Sequence, residues 1–287
     1  MILKFCSVKK ILTISVFWSV ITHAEPVIDS IMPQGKACGQ IYLDQKKIKI
    51  KVECDSDSTK CFSEINKIGK ENGVTRCFTK SGRLHDYVVY KNGLVHGPVM
   101  LWDSSGELTL RGNELNDNRY GLYERWFTKT NATMGYNGNE LRHLGPLPKN
   151  RRPRMVYHYN AKGQEDGEIK EWWPNGNLKL EAIAKNGQYI ENTDYYPNGN
   201  PRVTNKTPYD PTGKRAAMDG ILFEKTYNPK GKAISEVKNG NGESILFKAF
   251  PDSATGTYDV TKGIIKKGSL VDVKKLTKQE VSQLLEF

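Results

Sequence analysis

The sequence predicts an all-β repeat protein: stacked β-hairpins form one long twisted sheet, with a small disulfide-bonded N-terminal α+β domain before it and a C-terminal capping helix after it. Three observations predict this fold. Short apolar runs alternate with glycine turns, one unit recurs at a regular spacing, and four cysteines cluster early in the chain. The predicted divisions are a signal peptide over residues 1–24, a Cys-rich domain over 25–86, hairpin repeats over 87–262 and a cap over 263–287.

The first 24 residues have the pattern of a secretion signal. Three lysines precede an apolar run over residues 11–21, and Ala24 ends a small-residue cleavage site. The apolar run is too short to span a membrane as a helix, which takes about 20 residues. We therefore expect a periplasmic protein that begins near Glu25 after the signal peptide is cleaved near Ala24.

The charge balance narrows the class of partner. The full sequence has a formal net charge of +11 at pH 7, and removing a signal with three lysines and no acidic residue lowers it to +8. A basic surface outside the cytoplasm favours acidic proteins, anionic lipid headgroups or cell-wall polymers as partners. We expect no nucleic-acid partner.

The four cysteines of the mature chain are Cys38, Cys54, Cys61 and Cys77. An even, clustered set in an exported protein predicts disulfide bonds. Zinc is the alternative, but the segment holds no Cys-x-x-Cys motif and no nearby pair of histidines, so we expect neither a metal nor another cofactor. Three pairings of the four cysteines are open.

The residues around the cysteines favour one of these pairings. Residues 41–52 alternate like a hairpin, whose turn would place Cys38 roughly opposite Cys54. Residues 63–71 predict a short helix that an Asn-Gly pair ends. The other two cysteines would then close around this helix.

Residues 167–187 are the unit from which most of the chain is built. Two alternating apolar runs flank Pro174-Asn175-Gly176, which predicts a β-hairpin. Proline fixes φ near about −65°, so Pro174 cannot occupy a type I′ turn. A type I turn over Pro174 and Asn175, followed by a left-handed Gly176, satisfies all three residues.

The same unit recurs from residue 87 onward, which indicates a repeat architecture. In most copies a glycine opens a strand and an aromatic residue precedes the turn. Ile190 replaces the opening glycine once, and residues 147–154 break the pattern, which predicts a loop or an irregular hairpin there. The opening glycines are Gly97, Gly121, Gly145, Gly167, Gly220 and, more weakly, Gly242; the aromatic residues are Trp102, Trp126-Phe127, Trp172-Trp173, Tyr195-Tyr196 and Tyr227.

Three copies carry the full motif most clearly. They are Lys91-Asn92-Gly93 with His96-Gly97 and Trp102, Gly167 with Trp172-Trp173-Pro174-Asn175-Gly176-Asn177-Leu178, and Tyr195-Tyr196-Pro197-Asn198-Gly199. Over roughly residues 87–250 these units resemble variant MORN repeats. The resemblance implies stacked hairpins in one long twisted sheet and no enzyme activity. It also implies a bacterial antitoxin or immunity protein, or a membrane-associated or protein-binding scaffold.

A rim of tyrosine and tryptophan also predicts a partner-binding surface, because these residues dominate interface hot spots. The candidate anchors are Trp172, Tyr196, Trp102 and Trp126, with Trp172 on the opposite face from Trp173. Together with export and the family resemblance, this favours a periplasmic immunity protein. It would bind and neutralise a toxic effector, such as a lipid- or wall-degrading enzyme, that is acidic at the contact surface. The alternative is a non-enzymatic envelope scaffold that binds anionic lipid or cell-wall polymer.

The sequence offers no catalytic motif. It contains no Gly-x-Ser-x-Gly elbow, Walker loop or paired-histidine metal motif, and each histidine of the mature chain stands alone. We therefore expect no catalytic residues and no enzyme activity.

The last residues predict a helical cap. Thr277 and Glu280 have the spacing of a capping box, and Leu276 and Val281 that of a hydrophobic staple. Val281 shares one helical face with two leucines that follow it. We expect a short amphipathic helix that covers the last edge of the sheet, with peripheral membrane contact as the minor alternative.

Overall fold

A meander of antiparallel strands makes up the fold. The computed structural model describes residues 38–54, 59–147, 149–213 and 220–286, so the predicted signal peptide lies outside the described residues. The described chain forms eighteen strands and two short helices. Each strand pairs with the next one along the chain. The predicted all-β sheet of hairpins is confirmed.

The first half of the sheet contains nine strands. Their bounds are β1 Ile41–Leu43, β2 Lys49–Cys54, β3 Lys60–Ile65, β4 Glu71–Phe78, β5 Leu84–Lys91, β6 Leu94–Trp102, β7 Leu108–Leu115, β8 Asn118–Phe127 and β9 Arg152–Tyr159. A short helix, α1 (Gly138–Leu144), lies between β8 and β9.

The second half contains nine more strands and ends in a helix. The bounds are β10 Gly167–Trp172, β11 Leu178–Lys185, β12 Gln188–Tyr195, β13 Pro201–Lys206, β14 Phe223–Tyr227, β15 Ala233–Lys238, β16 Asn241–Phe247, β17 Val260–Lys266, β18 Ser269–Lys275 and α2 Lys278–Glu286.

The helix predicted over residues 63–71 is wrong. These residues complete β3, make a tight turn and begin β4. The side chain of Asn66 accepts hydrogen bonds from the backbone N–H groups of Ile68 (3.0 Å) and Lys70 (3.1 Å), and Gly69 has φ of +83°. Such local hydrogen bonds offer the backbone an alternative to a helix. The Cys-rich segment is therefore built from strands, which continue directly into the repeats at β5.

Both favoured disulfides are present. Cys38 bonds to Cys54 with a Cα–Cα distance of 5.6 Å, and Cys61 bonds to Cys77 at 4.0 Å. The structural basis of the second bond differs from the prediction. Cys61 and Cys77 lie directly opposite each other on β3 and β4, so the bond crosses two paired strands rather than closing around a helix.

The turn over Pro174 and Asn175 has the predicted geometry. The N–H of Gly176 donates to the carbonyl of Trp173 (2.9 Å), and the N–H of Trp173 donates to the carbonyl of Asn177 (2.8 Å). Gly176 is left-handed with φ of +96°. At the opposite end of the strands, in the turn between β11 and β12, Asn186 and Gly187 both have positive φ (48° and 80°). A type I′ turn requires positive φ at both of its central residues.

The third copy departs from the repeat further than expected. Gly145 does not open a strand; it follows α1, whose capping box joins Asn137 and Glu140. The loop predicted over residues 147–154 is present only in part, because β9 begins at Arg152. The sequence contains this capping box as Asn137-x-x-Glu140, and the motif could have predicted α1.

Side-chain amides connect successive turns at one end of the strands. The Nδ2 of Asn177 donates to the carbonyl of Pro197 (2.7 Å), and the Nδ2 of Asn200 donates to the carbonyl of Pro229 (3.0 Å). Each hairpin thereby fixes the position of the next one, as stacked repeats require because each unit contacts only its neighbours.

The predicted C-terminal cap forms. The N–H of Thr277 donates to Oε2 of Glu280 (2.8 Å) and the N–H of Glu280 donates to Oγ1 of Thr277 (3.3 Å). The backbone hydrogen bond from Thr277, together with Lys274, holds the pKa of Glu280 at about 2. Leu276 and Val281 lie in one buried cluster, as a staple requires.

The position of α2 differs from the prediction. Its apolar residues Val281, Leu284 and Leu285 pack against a buried cluster that includes Phe247 and Tyr196. The helix therefore covers a face of the sheet, and the side chains of residues 271–275 on β18 stay exposed. A sheet with a large apolar cluster at its end gains more from covering that face than from covering one strand edge.

Backbone geometry makes one strand-opening glycine far less replaceable than another. We predict that Gly242→Ala lowers the free energy of unfolding by more than about 3 kcal/mol. A Cβ there would lie 2.3 Å from the carbonyl oxygen of Glu236, at φ of +150°. Gly121→Ala is the control, expected to cost about 1 kcal/mol, because φ is +67° with no atom within 4 Å. Urea denaturation at pH 7 measures both; equal losses would contradict the prediction.

Candidate binding surface

The pairing register aligns one residue from each repeat at the same level of the sheet. Starting at Met100 on β6, directly paired residues lead across the strands to Glu124 on β8, Lys170 on β10, Thr193 on β12 and Lys225 on β14. Residues two positions further along each strand share the same face. These residues are Trp102, Trp126, Trp172, Tyr195 and Tyr227, hereafter the aromatic row.

The aromatic row lies on one face of the sheet, hereafter the outer face. Its members lie on every second strand, so neighbours are about 10 Å apart at the usual strand spacing, and the five cover about 40 Å. All five side chains are half-buried. Three predicted anchors, Trp102, Trp126 and Trp172, therefore lie together in one row.

A register shift accompanies every member of the row. At β10, for example, Glu171 pairs with Leu180 and Trp172 pairs with Leu178, so the extra residue lies on the neighbouring strand. The strand that carries the aromatic residue keeps its alternation, and bulges of this kind re-aim neighbouring side chains. In four of the five copies, the residue after the aromatic is buried on the opposite, inner face. Phe127, Trp173, Tyr196 and Asn228 are all buried there.

The predicted anchor Tyr196 is wrong. Its side chain is 1% exposed, packs in the cluster beneath α2, and donates a hydrogen bond to the carbonyl of Tyr227 (2.8 Å). The same alternation that separates Trp172 from Trp173 places Tyr195, not Tyr196, on the outer face. Tyr195 and Tyr227 are the two row members that are not among the predicted anchors. Side-chain alternation along the strand could have distinguished Tyr195 from Tyr196.

Charged side chains flank the aromatic row. Arg111 binds Glu124 with Nη2–Oε2 2.6 Å and Nε–Oε2 2.9 Å, and Lys170 pairs with Glu181 at 3.0 Å. The guanidinium of Arg111 lies 5.7 Å from the centre of the Trp126 ring. Cations over an indole ring are favourable contacts.

Trp126 carries a second cation. The guanidinium of Arg151 lies 5.1 Å from its ring centre. Two arginines therefore lie close to one tryptophan, the second member of the row. Aromatic and arginine side chains combined in this way are typical of interface hot spots.

The inner face holds paired polar groups. Tyr157 donates a hydrogen bond to Oε1 of Glu171, and Lys179 donates to its Oε2 (2.7 Å). Arg202 lies 3.5 Å from a carboxylate oxygen of Asp194, whose pKa burial raises. These contacts link β9, β10, β11, β12 and β13, so we assign them to holding the strands together.

No group of three or more His, Cys, Asp or Glu side chains in the described ranges is arranged to hold a metal ion. No helix among the described residues is long and apolar enough to cross a membrane.

Comparisons with known proteins add little. No family model matches the sequence, and no curated protein matches it. Among solved structures, the chain is similar to one titled "Crystal Structure of TcdB2-TccC3-Cdc42", with 12% identity and a TM-score of 0.16. The match covers 81% of this chain and 11% of that chain. A TM-score this low does not indicate a shared fold.

A buried carboxylate on β14 gives a pH-dependent prediction. Burial raises the pKa of Glu224, and its Oε1 has no hydrogen-bond partner among the described residues. The native state therefore binds this proton more tightly than the unfolded state. The charged form consequently costs stability at neutral pH, and the cost disappears as pH falls below the unfolded-state pKa.

We predict that Glu224→Gln raises Tm at pH 7 and raises it less at pH 4, where the wild-type carboxyl gains its proton. Glu168→Gln, which removes an exposed carboxylate, serves as the control and should change Tm little at either pH. Calorimetry at the two pH values measures both. A lower Tm for Glu224→Gln at pH 7 would show that the carboxylate stabilises the fold.

Proposed function

We propose that this chain is an exported, non-enzymatic protein of the immunity type, which binds and neutralises a toxic effector protein in the periplasm. The single observation that supports the proposal most is the aromatic row. Five half-buried tryptophan and tyrosine side chains lie at one level of one face. The fold provides this platform without any recognisable catalytic motif.

The size of the row suits a protein partner. A standard interface buries about 800 Å² on each protein, and a row of about 40 Å on a sheet offers this area over a few hairpins. Tryptophan, tyrosine and arginine contribute most of the binding energy in such interfaces. Trp126, flanked by Arg111 and Arg151, is the member we expect to contribute most.

Charge complements this surface. The expected mature chain is basic, and long-range attraction raises the rate at which an acidic partner associates. The effector we propose is therefore acidic at its contact surface. The two disulfides are consistent with an oxidising compartment outside the cytoplasm, where an enzyme that degrades lipid or cell wall would act.

Substitutions in the row test the proposal. With an effector encoded by a neighbouring gene as the probe, we predict that Trp126→Ala and Trp172→Ala each weaken binding by about 30-fold. Tyr120→Ala is the matched control, because Tyr120 is an exposed aromatic on β8, the strand of Trp126, but outside the row. It should change affinity by less than about three-fold. Calorimetric titration measures the affinities, and circular dichroism verifies folding.

A genetic test complements the binding test. Cells that lack the gene should die when challenged by siblings that deliver the toxin, and the Trp126→Ala variant should restore survival only in part. Survival of the deletion strain equal to that of the parent would overturn the immunity role.

One observation favours a second candidate, the envelope scaffold. The spacing of about 10 Å between row members resembles the length of a disaccharide unit in an extended β-linked glycan, and sugar rings stack on aromatic faces. Soluble wall fragments of increasing length distinguish the candidates. A glycan ligand would bind more tightly with each added disaccharide, whereas an effector-specific surface would bind none of the fragments.

A further inference from the structure

The last strand of the sheet, β18, has a free edge. In the part of the chain that the structure describes, β18 pairs with β17 and with no other strand. Its residues Val271 and Val273 are 53% and 54% exposed. Helix α2 packs on a face of the sheet and does not cover this edge. Exposed edges with apolar side chains readily accept another strand.

The direction of the backbone groups on β18 follows from its pairing with β17. The N–H of Leu276 donates to the carbonyl of Val260 (3.0 Å). Lys274, two residues before Leu276, lies opposite Lys262 of β17. In an antiparallel pair, alternate residues direct both N–H and C=O to the same neighbour. The backbone N–H and C=O groups of Leu276 and Lys274 therefore point to β17. Those of Val273 point to the free edge.

We propose that β18 pairs with β18 of a second copy of this chain, antiparallel, about a two-fold axis at Val273. This register places Val273 opposite Val273 of the second copy. It also places Asp272 opposite Lys274 of the second copy, and the symmetry repeats this pair. The outward backbone groups of Val273 select this register. It brings together two opposite-charge pairs and one apolar pair, and cross-strand pairs of these types stabilise sheets.

The edge at the other end of the sheet fits less well. Strand β1 also exposes two apolar residues, Ile41 and Leu43, but it has only three residues and no charged one. Pairing of β1 with β18 would offer neither ion pair. It would also join unlike edges and produce open chains of molecules rather than a closed dimer.

A charge swap on the disulfide-bonded mature protein tests the proposal. Sedimentation equilibrium measures the dissociation constant at protein concentrations up to roughly 100 µM, because so small an interface implies micromolar affinity. We expect the wild type to form a dimer. Asp272→Lys and Lys274→Asp should each weaken the dimer by about ten-fold, because each places like charges opposite each other. The double variant carrying both changes should restore wild-type affinity.

Lys274 also pairs with Glu280 of its own chain at 3.0 Å, so Glu280→Gln serves as the control for loss of that contact and should leave dimerisation unchanged. A second variant tests the backbone. Val273→Pro removes an N–H that faces the free edge and no bond to β17, so it should abolish the dimer and leave Tm within about 2 °C of the wild type.

Three outcomes would overturn the proposal. A wild type that sediments as a monomer at roughly 100 µM excludes pairing at this edge. A double variant as weak as the single variants excludes the two-fold register. Concentration-dependent filaments in place of a dimer would assign the contact to β1 and β18 of successive copies.

Discussion

The turn that closes each hairpin is the constraint on which the rest of the structure depends. A type I turn followed by a left-handed glycine, as at Pro174–Gly176, ends one strand and starts the next. Its fixed length sets the phase of the next strand, that is, which of its side chains point to which face of the sheet. Glycine adopts this positive φ without steric cost, whereas other residues do not. Because the phase is fixed, the alternation of side chains restarts identically in each repeat. A slip of one residue would exchange the two faces of a strand.

Two consequences of this phase are visible together. The first aromatic of each pair stays on the outer face, and the second enters the core, as Trp172 and Trp173 show. The amides of the turns then fix each hairpin against the next, as Asn177 does by donating to Pro197. One set of residues thus provides both the apolar core and the exposed row, so a single mechanism of stacking builds the scaffold and its binding surface.

A meander of this kind has two edges that no hairpin closes. At the start, disulfides strengthen the first strands: Cys38–Cys54 ties the residues before β1 to β2, and Cys61–Cys77 joins β3 to β4. At the end, α2 covers the apolar cluster around Phe247 but not the edge of β18. The two ends are therefore protected differently, because a cross-link limits unfolding while a helix buries apolar surface.

The sequence by itself determined the hairpin repeat, the turn type and the C-terminal capping box, because each depends on residues close together in the chain. It favoured the observed disulfide pairing without excluding the other two. Tertiary structure decided the rest. It placed residues 63–71 at the end of β3, in the turn that follows and at the start of β4, since strand pairing on both sides outweighs a weak helical preference. It buried Tyr196 and exposed Tyr195, and it placed α2 on a face instead of an edge. Only the register between strands could align five aromatic residues from five repeats, since that register sums contacts across more than a hundred residues.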